Sequence, residues 1–288
     1  MTERHTPAHP AHMKFRRWIR TPKGLLVASL AVLLGFAAQA EGVRLVLPGV
    51  LAASIAAMAV DVPILRYRSR KWHFPDGALL TGLIVAMVLS PHEPWWIAAV
   101  TSAVAVVSKY VMRVGKANVF NPAAFALVAT FYAFDAGHSW WGSLPEAATA
   151  EIVVLFATGI FIAHRVNKLP AVLAFLGAYF LMATVMSFVG DPGRMAELYR
   201  APDVYAVLYF AFFMVTDPPT SPPKQRDQMI YGGITAVVAF LAFEVIGAAY
   251  FLLAGVLAAN AWEAWRRWRL KRGTTAARAG AVAGAAGA

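Results

Sequence analysis

The feature that most constrains this chain is a row of ten apolar runs separated by short polar or basic stretches, a pattern that fits a bilayer better than water. Bounded by charge, Pro or Gly, the runs fall near 24–40, 43–62, 77–90, 95–112, 119–134, 147–163, 170–189, 203–216, 229–247 and 248–266 of the 288 residues. Ten helices of ~20 residues use ~200 positions. The remainder suffices for loops and two tails but not for a sizeable soluble domain. Composition agrees, with 59% hydrophobic and 14% charged residues against roughly 45–50% and about 25% in soluble domains. The chain has no cysteine, which excludes a disulfide framework, cysteine-held iron–sulfur clusters and a thiolate nucleophile. Any redox chemistry must therefore come from a bound organic cofactor or a histidine-held metal.

A net charge of +11 would suggest nucleic acid in a soluble protein, but placement decides otherwise. All but three of the 26 Lys and Arg lie in alternate loops and the two tails, the exceptions being Arg44, Arg194 and Arg200. Cytoplasmic loops carry such an excess. The expected partner of the surface is thus the lipid bilayer, with no nucleic acid, and both termini are cytoplasmic. Residues 1–23 read as a disordered basic tail, 24–134 as a first five-helix unit, 135–268 as a second, and 269–288 as a disordered Gly/Ala-rich tail. The first run, ending in Ala38-Gln39-Ala40, also imitates a signal peptide. With or without cleavage, residue 41 emerges outside.

Two runs are short. Those at 77–90 and 203–216 hold about fourteen residues, below the ~17–25 that a crossing helix needs. Each ends in a polar, Pro-containing stretch, Leu89-Ser90-Pro91-His92 and Thr216-Asp217-Pro218-Pro219-Thr220-Ser221-Pro222. They are the third of five spans in each half. Because five is odd, a duplicated unit would insert upside down the second time, so the expected fold is an all-α integral membrane protein of two inverted five-helix repeats. Interrupted helices at matching positions of inverted repeats usually meet at a site.

Three segments gather the polar residues that lipid would reject: Pro75 to Leu83, Asn118-Val119-Phe120-Asn121-Pro122-Ala123-Ala124, and Phe213 to Pro222. All three fall on the inner side. Asn121 can cap the fifth span with Pro122 in its first turn, and Asp217 before Pro can simply stop a helix. The four Trp of the outer surface, Trp95, Trp96, Trp140 and Trp141, read as an interfacial aromatic belt. Asp61, Lys109 and Glu244 lie in or near span ends, where charge is costly.

These segments, in this order, resemble the family of membrane electron-transport subunits formed by RnfD and NqrB. The matching stretches are Asp76-Gly77-Ala78-Leu79-Leu80-Thr81-Gly82-Leu83 followed by Pro94-Trp95-Trp96, Phe120-Asn121-Pro122-Ala123, Thr216-Asp217-Pro218-Pro219-Thr220-Ser221, and Leu257-Ala258-Ala259-Asn260. The resemblance spans roughly residues 20–270 and implies a flavin-carrying subunit of an electron-transport complex in a bacterial inner membrane, partnered by other redox subunits. It implies a redox subunit rather than a free-standing enzyme. A noncovalent flavin, FMN or riboflavin, needs a few amides or hydroxyls and apolar walls. Asn118, Asn121, Thr216, Asp217, Thr220 and Ser221 are the polar candidates, with Phe120, Phe125 and Phe213 as walls.

One departure stands out. The family's outer-loop pattern of Asp-x-x-Ser-x-Ala-Thr type, whose Thr carries FMN covalently, is absent from Asp135 to Glu146, so no covalent FMN is expected on Ser139, Ser143 or Thr149. Haem is not expected either, because His73, His164, His92 and His138 fall at the surfaces and His5, His9 and His12 in the tail. No metal-ligand spacing occurs. The rival reading is a non-redox small-solute transporter or channel on the same inverted-repeat fold. The charge partition is checked by reporter fusions: those after Lys71 and Lys168 report a cytoplasmic position and those at Gly142 and Arg194 an external one, whereas a cytoplasmic signal at Gly142 breaks the ten-span topology.

Overall fold

A computed structural model of the protein describes residues 18–115, 117–145 and 149–286. Its helices are α1 (Pro22–Glu41), α2 (Val43–Ser69), α3 (Asp76–Val88), α4 (Trp95–Val111), α5 (Pro122–Phe134), α6 (Thr149–Arg165), α7 (Leu169–Val189), α8 (Pro192–Glu197), α9 (Ala201–Phe213), α10 (Gln225–Leu241) and α11 (Phe251–Ala286). A two-residue-strand hairpin, β1 (Arg113–Val114) and β2 (Ala117–Asn118), joins α4 to α5. Among the described residues, four helices are long and apolar enough to cross a membrane: α1, α2, α7, and α10 continued through a π-helical turn to Ile246. The helices turn large apolar side chains outward, Phe188 being 86% exposed and Leu51, Ile55, Leu173 and Leu181 also exposed. Patches of this extent are untenable in water and ordinary against lipid. The protein is an all-α, multi-pass membrane protein.

Helix lengths sort by burial. The sequence marks two short spans, and α3 and α9 are indeed 13 residues each; α5 is a third of the same length. Every residue of α3 from Leu80 to Val88 is buried, as are most of α9 from Ala206 to Phe213. Both are apolar on all sides, which is the signature of a helix enclosed by others. The short helices therefore form the middle of the bundle, and the long ones its lipid-facing wall.

Both halves repeat one packing scheme. In the first, α2 runs along α4, α1 crosses α3, and α4 packs on α5; in the second, α7 runs along α10, α6 crosses α9, and α10 packs on α11. Between halves, α1 touches α6 and α5 touches α11.

A helix that ends inside the bundle leaves carbonyls to be satisfied. At the end of α3 the loop after α5 does this. Ser139 N and Trp140 N donate to Val88 O at 3.0 and 3.1 Å, and Trp141 Nε1 donates to Ala86 O at 2.7 Å. This corrects the expected aromatic belt. Trp95 and Trp96 are exposed, but Trp140 and Trp141 are buried, the latter 2% exposed, because the Trp141 indole caps α3 and the Trp140 ring packs on Tyr209 and Phe210 of α9. The expected outer turn after α10 lies at Gly247, whose φ of 68° places it in the left-handed region. A second correction concerns the C-terminus: the stretch read as a disordered Gly/Ala-rich tail at 269–288 is helical through Ala286, because its alanines are strong helix formers propagating from an established helix. The tail up to residue 17, with its three His, lies outside the described residues.

Close approach of α7 and α10 depends on Gly232, where a Cβ would meet Ala171 O and lie 2.9 Å from Phe175 N. Backbone atoms cannot swing away as side chains can. Gly232→Leu is expected to lower stability by more than the ~1–3 kcal/mol typical of overpacking, measured as loss of monodisperse protein on mild heating, while Gly35→Leu on α1, which meets nothing within 4 Å, leaves it unchanged.

Candidate functional site

The polar segments converge at the end of the bundle where α3 begins and α9 ends. The hairpin, with Gly115 at φ 67°, turns the chain sharply and sets Asn118 opposite Arg113. Three residues on, Asn121 caps α5: Oδ1 accepts from Ala124 N at 3.1 Å and Pro122 fills the first turn. Capping leaves the amide nitrogen free, and Nδ2 donates to Met214 O at 3.3 Å in the loop after α9. The backbone N–H of Asn121 donates to Asn260 Oδ1 at 2.7 Å, and Asn260 Nδ2 donates to Tyr231 OH at 2.6 Å. Thus Asn260, fully buried in α11, joins the first half of the chain to α10. The loop itself is folded by its own side chains, with Thr220 Oγ1 on Asp217 Oδ2 at 2.8 Å and Ser221 Oγ on Asp217 O at 2.7 Å.

Cations hold the carbonyls of this loop. Lys168 Nζ donates to Pro222 O at 2.6 Å, and Arg267 donates to Pro219 O at 2.7 Å and Ser221 O at 3.0 Å. Glu263, 1% exposed on α11, orients Arg267 at 2.6 Å and Arg266 at 2.7 Å. Burial, with Arg267 nearby, pulls the Lys168 ammonium down to about 8, against the opposing pull of Asp217 and Glu263. Burial pushes the Asp217 carboxyl up from the ordinary carboxylate range, opposed by the Thr220 hydrogen bond and by Lys168, Lys109 and Arg267.

Between α1, α3, α5, α6 and this loop lies a cavity of about 560 Å³. Of the residues singled out from sequence, Asn118, Asn121, Thr216 and Asp217 line it. Phe120, Thr220 and Ser221 do not. Phe120 stacks on Phe125 with centroids 6.0 Å apart, Thr220 is spent on Asp217, and Ser221 borders an open groove beyond Pro218 and Pro219. Sequence reading missed Lys23, Thr81 and Ile162 as lining residues, although Thr81 sits within the Asp-Gly-x-Leu-Leu-Thr-Gly-Leu stretch. Lys109 also lines the cavity and pairs with Asp61 Oδ1 at 3.3 Å, while Glu244 pairs with Arg194 at 3.6 Å. The three costly charges noted from sequence are therefore all compensated.

The volume lies within the range of cofactor pockets, roughly 300–1,000 Å³. Leu80, Ile84, Ile162 and Phe213 supply apolar faces. Thr81 and Thr216 donate to their own helix carbonyls, Gly77 O at 2.8 Å and Phe212 O at 2.6 Å, and so offer only lone pairs inward. Asn118 has no side-chain hydrogen bond among the described residues and offers donor and acceptor together. The cavity thus has apolar walls with amide, hydroxyl and ammonium groups at its edge.

Comparison with known proteins bears on this arrangement. The model of the NQR2, RnfD, RnfE family matches residues 8–150 and 140–264. The chain belongs to this family. A relative from Ectopseudomonas mendocina, named as the D subunit of an ion-translocating oxidoreductase complex, is 24% identical over 62% of this chain and 69% of its own length. Relatives of the same name from Salmonella paratyphi A and Halorhodospira halophila are 32% identical over 51% of this chain and 44% of their own, and 26% identical over 58% and 65%. The matches thus span about two thirds of two of these relatives and less than half of the third. Within this NQR2, RnfD, RnfE family member, the Phe-Asn-Pro-Ala, Thr-Asp-Pro and terminal Asn stretches are one bonded unit beside the cavity.

Asn118 and Asn260 have different work. Asn260→Leu strands Asn121 N–H and Tyr231 OH in the interior, at about 1–3 kcal/mol for each buried group, and is expected to lower the melting temperature of the purified protein by several degrees. Asn118→Leu is expected to leave it within a degree or two of the parent. Equal melting temperatures for both variants would show that the Asn260 bridge contributes nothing.

Proposed function

We propose that this chain is the membrane subunit of an ion-translocating electron-transport complex in a bacterial inner membrane, and that it passes electrons through a flavin held noncovalently in the inner cavity. The observation that carries this reading is the cavity itself, walled by the three polar segments and edged by the uncommitted Asn118 amide, Lys109 and one free face of Asp217. A bound flavin supplies the ability to accept electrons from one partner and hand them to another. The chain's own residues orient the ring edge through Asn118 and the two Thr, keep water out with Leu80, Ile84 and Phe213, and place an ammonium where added negative charge would be compensated. Other redox subunits are the implied partners, because the relatives are named as D subunits of an ion-translocating oxidoreductase complex.

The architecture proposed for this work is ten spans with both termini cytoplasmic, arranged as inverted repeats. Its support is the repeated packing scheme, in which second pairs with fourth and first with third in each half, and in which first meets first and fifth meets fifth between halves. Each half also ends its central short helix on caps from elsewhere, Trp140 and Trp141 at α3 and Lys168 and Arg267 at the loop after α9.

The absent outer-loop pattern favours one second reading, a non-redox transporter. Spectroscopy separates the two. Purified protein is expected to show flavin absorption at near-stoichiometric amount, released into the supernatant on denaturation, with no fluorescent band retained by the chain. Asn118→Leu and Asp217→Leu are each expected to weaken flavin binding roughly 5- to 150-fold, the equivalent of ~1–3 kcal/mol, and Ser143→Ala on the outer loop to leave it unchanged. A colourless parent protein would favour the transporter.

A further inference from the structure

The inner end of α11 carries a feature that the flavin reading leaves unused. Five cations, Arg266, Arg267, Arg269, Lys271 and Arg272, are interleaved with and follow Trp262, Trp265 and Trp268. They divide by face. Arg266 and Arg267 turn toward the bundle, where their N–H groups are taken by Glu263, Asp227, Pro219 O and Ser221 O at 2.6–3.0 Å. On the opposite face Trp265 and Trp268 are 51% and 42% exposed, and Arg269 and Arg272 are exposed beside them.

The outward pair is built differently. Arg269 Cζ stands 4.8 Å over the ring of Trp265, and Arg272 Cζ stands 3.8 Å over that of Trp268. Among the described residues neither pairs with a carboxylate. Stacking engages the face of a guanidinium and leaves its edge, with its N–H donors, open. Each Arg follows its ring by four residues, so its Cα lies about 6 Å further along the helix while its guanidinium folds back over the indole. A stacked pair of this kind suits a membrane interface, where an indole settles at the headgroup boundary and a guanidinium beside it meets the phosphate layer.

We propose that this face of α11 binds the phosphodiester headgroup of an anionic phospholipid in the adjacent leaflet. Charge complementarity selects that occupant: two guanidinium edges side by side suit a phosphodiester, to which Arg bonds bidentately, and the exposed indoles suit its glycerol and first acyl carbons. The site does not depend on a flavin. It does rest on the inner placement of α11's end, which the reporter fusions test separately.

The test uses the purified full chain, titrated with phosphatidylglycerol or phosphatidylcholine while bound lipids are counted by native mass spectrometry. The parent is expected to retain phosphatidylglycerol in preference to phosphatidylcholine, and R269Q/R272Q to lose about 30-fold in that preference, from the surface electrostatics of two Arg. R269K/R272K, which keeps the charge without the planar fork, is expected to lose a substantial part of it, and R44Q near the opposite end to lose none. Soluble glycerol phosphate is expected not to compete. Equal retention of the two lipids by the parent, an undiminished preference in R269Q/R272Q or in R269K/R272K, or full competition by glycerol phosphate would each overturn the proposal.

Discussion

The bond from Asn121 N–H to Asn260 Oδ1 is the contact on which the cavity end of the molecule depends. It lies where a bilayer protein is most exposed to loss, at the start of a 13-residue helix whose first amides have no partners of their own. Through Asn260 the same amide group reaches Tyr231, and through Asn121 it reaches Met214. A single pair of Asn side chains thereby fastens α5 of the first half to α10, α11 and the loop after α9 in the second. Because the bridge is fully buried, each of its donors would be costly to leave unpaired.

The cavity is a consequence of how the short helices end. At 13 residues, α3, α5 and α9 rise about 20 Å each, so the bundle centre cannot be filled by helix from one face to the other. At the end where α3 finishes the vacated depth is occupied by Trp141, whose indole bonds α3, and by Trp140, whose ring stands against Tyr209 and Phe210 of α9. At the opposite end it is edged by loop segments instead, pinned by Lys168 and Arg267. Rigid polar backbone around an open space is what a cofactor site requires.

Much of this was legible in the sequence and some was not, for identifiable reasons. Hydropathy marked the spans and the two short ones because burial in lipid or in a bundle leaves no choice of residue type. The cap at Asn121 was legible because it is local, a side chain bonding three residues on. The role of Asn260 was not, since its partners are 139 and 29 residues away. Trp140 and Trp141 are illegible for the same reason: a Trp pair in a loop between spans looks interfacial until the carbonyls of α3 are seen beneath it. Phe120 looks like a wall of the site from its neighbours in the chain, yet its ring turns onto Phe125. Lys168 and Arg267 looked like ordinary basic loop residues of the inner face, and only the fold sets them on the carbonyls between Pro219 and Pro222.

The most direct measurement is an experimental density map of the full chain, purified without added cofactor and reconstituted in lipid. A flavin bound at the proposed place predicts flat three-ring density in the cavity between Phe213 and Leu80, with its polar edge against Asn118 and Thr81. Lipid acyl density there, or a cavity collapsed onto its own side chains, would contradict it.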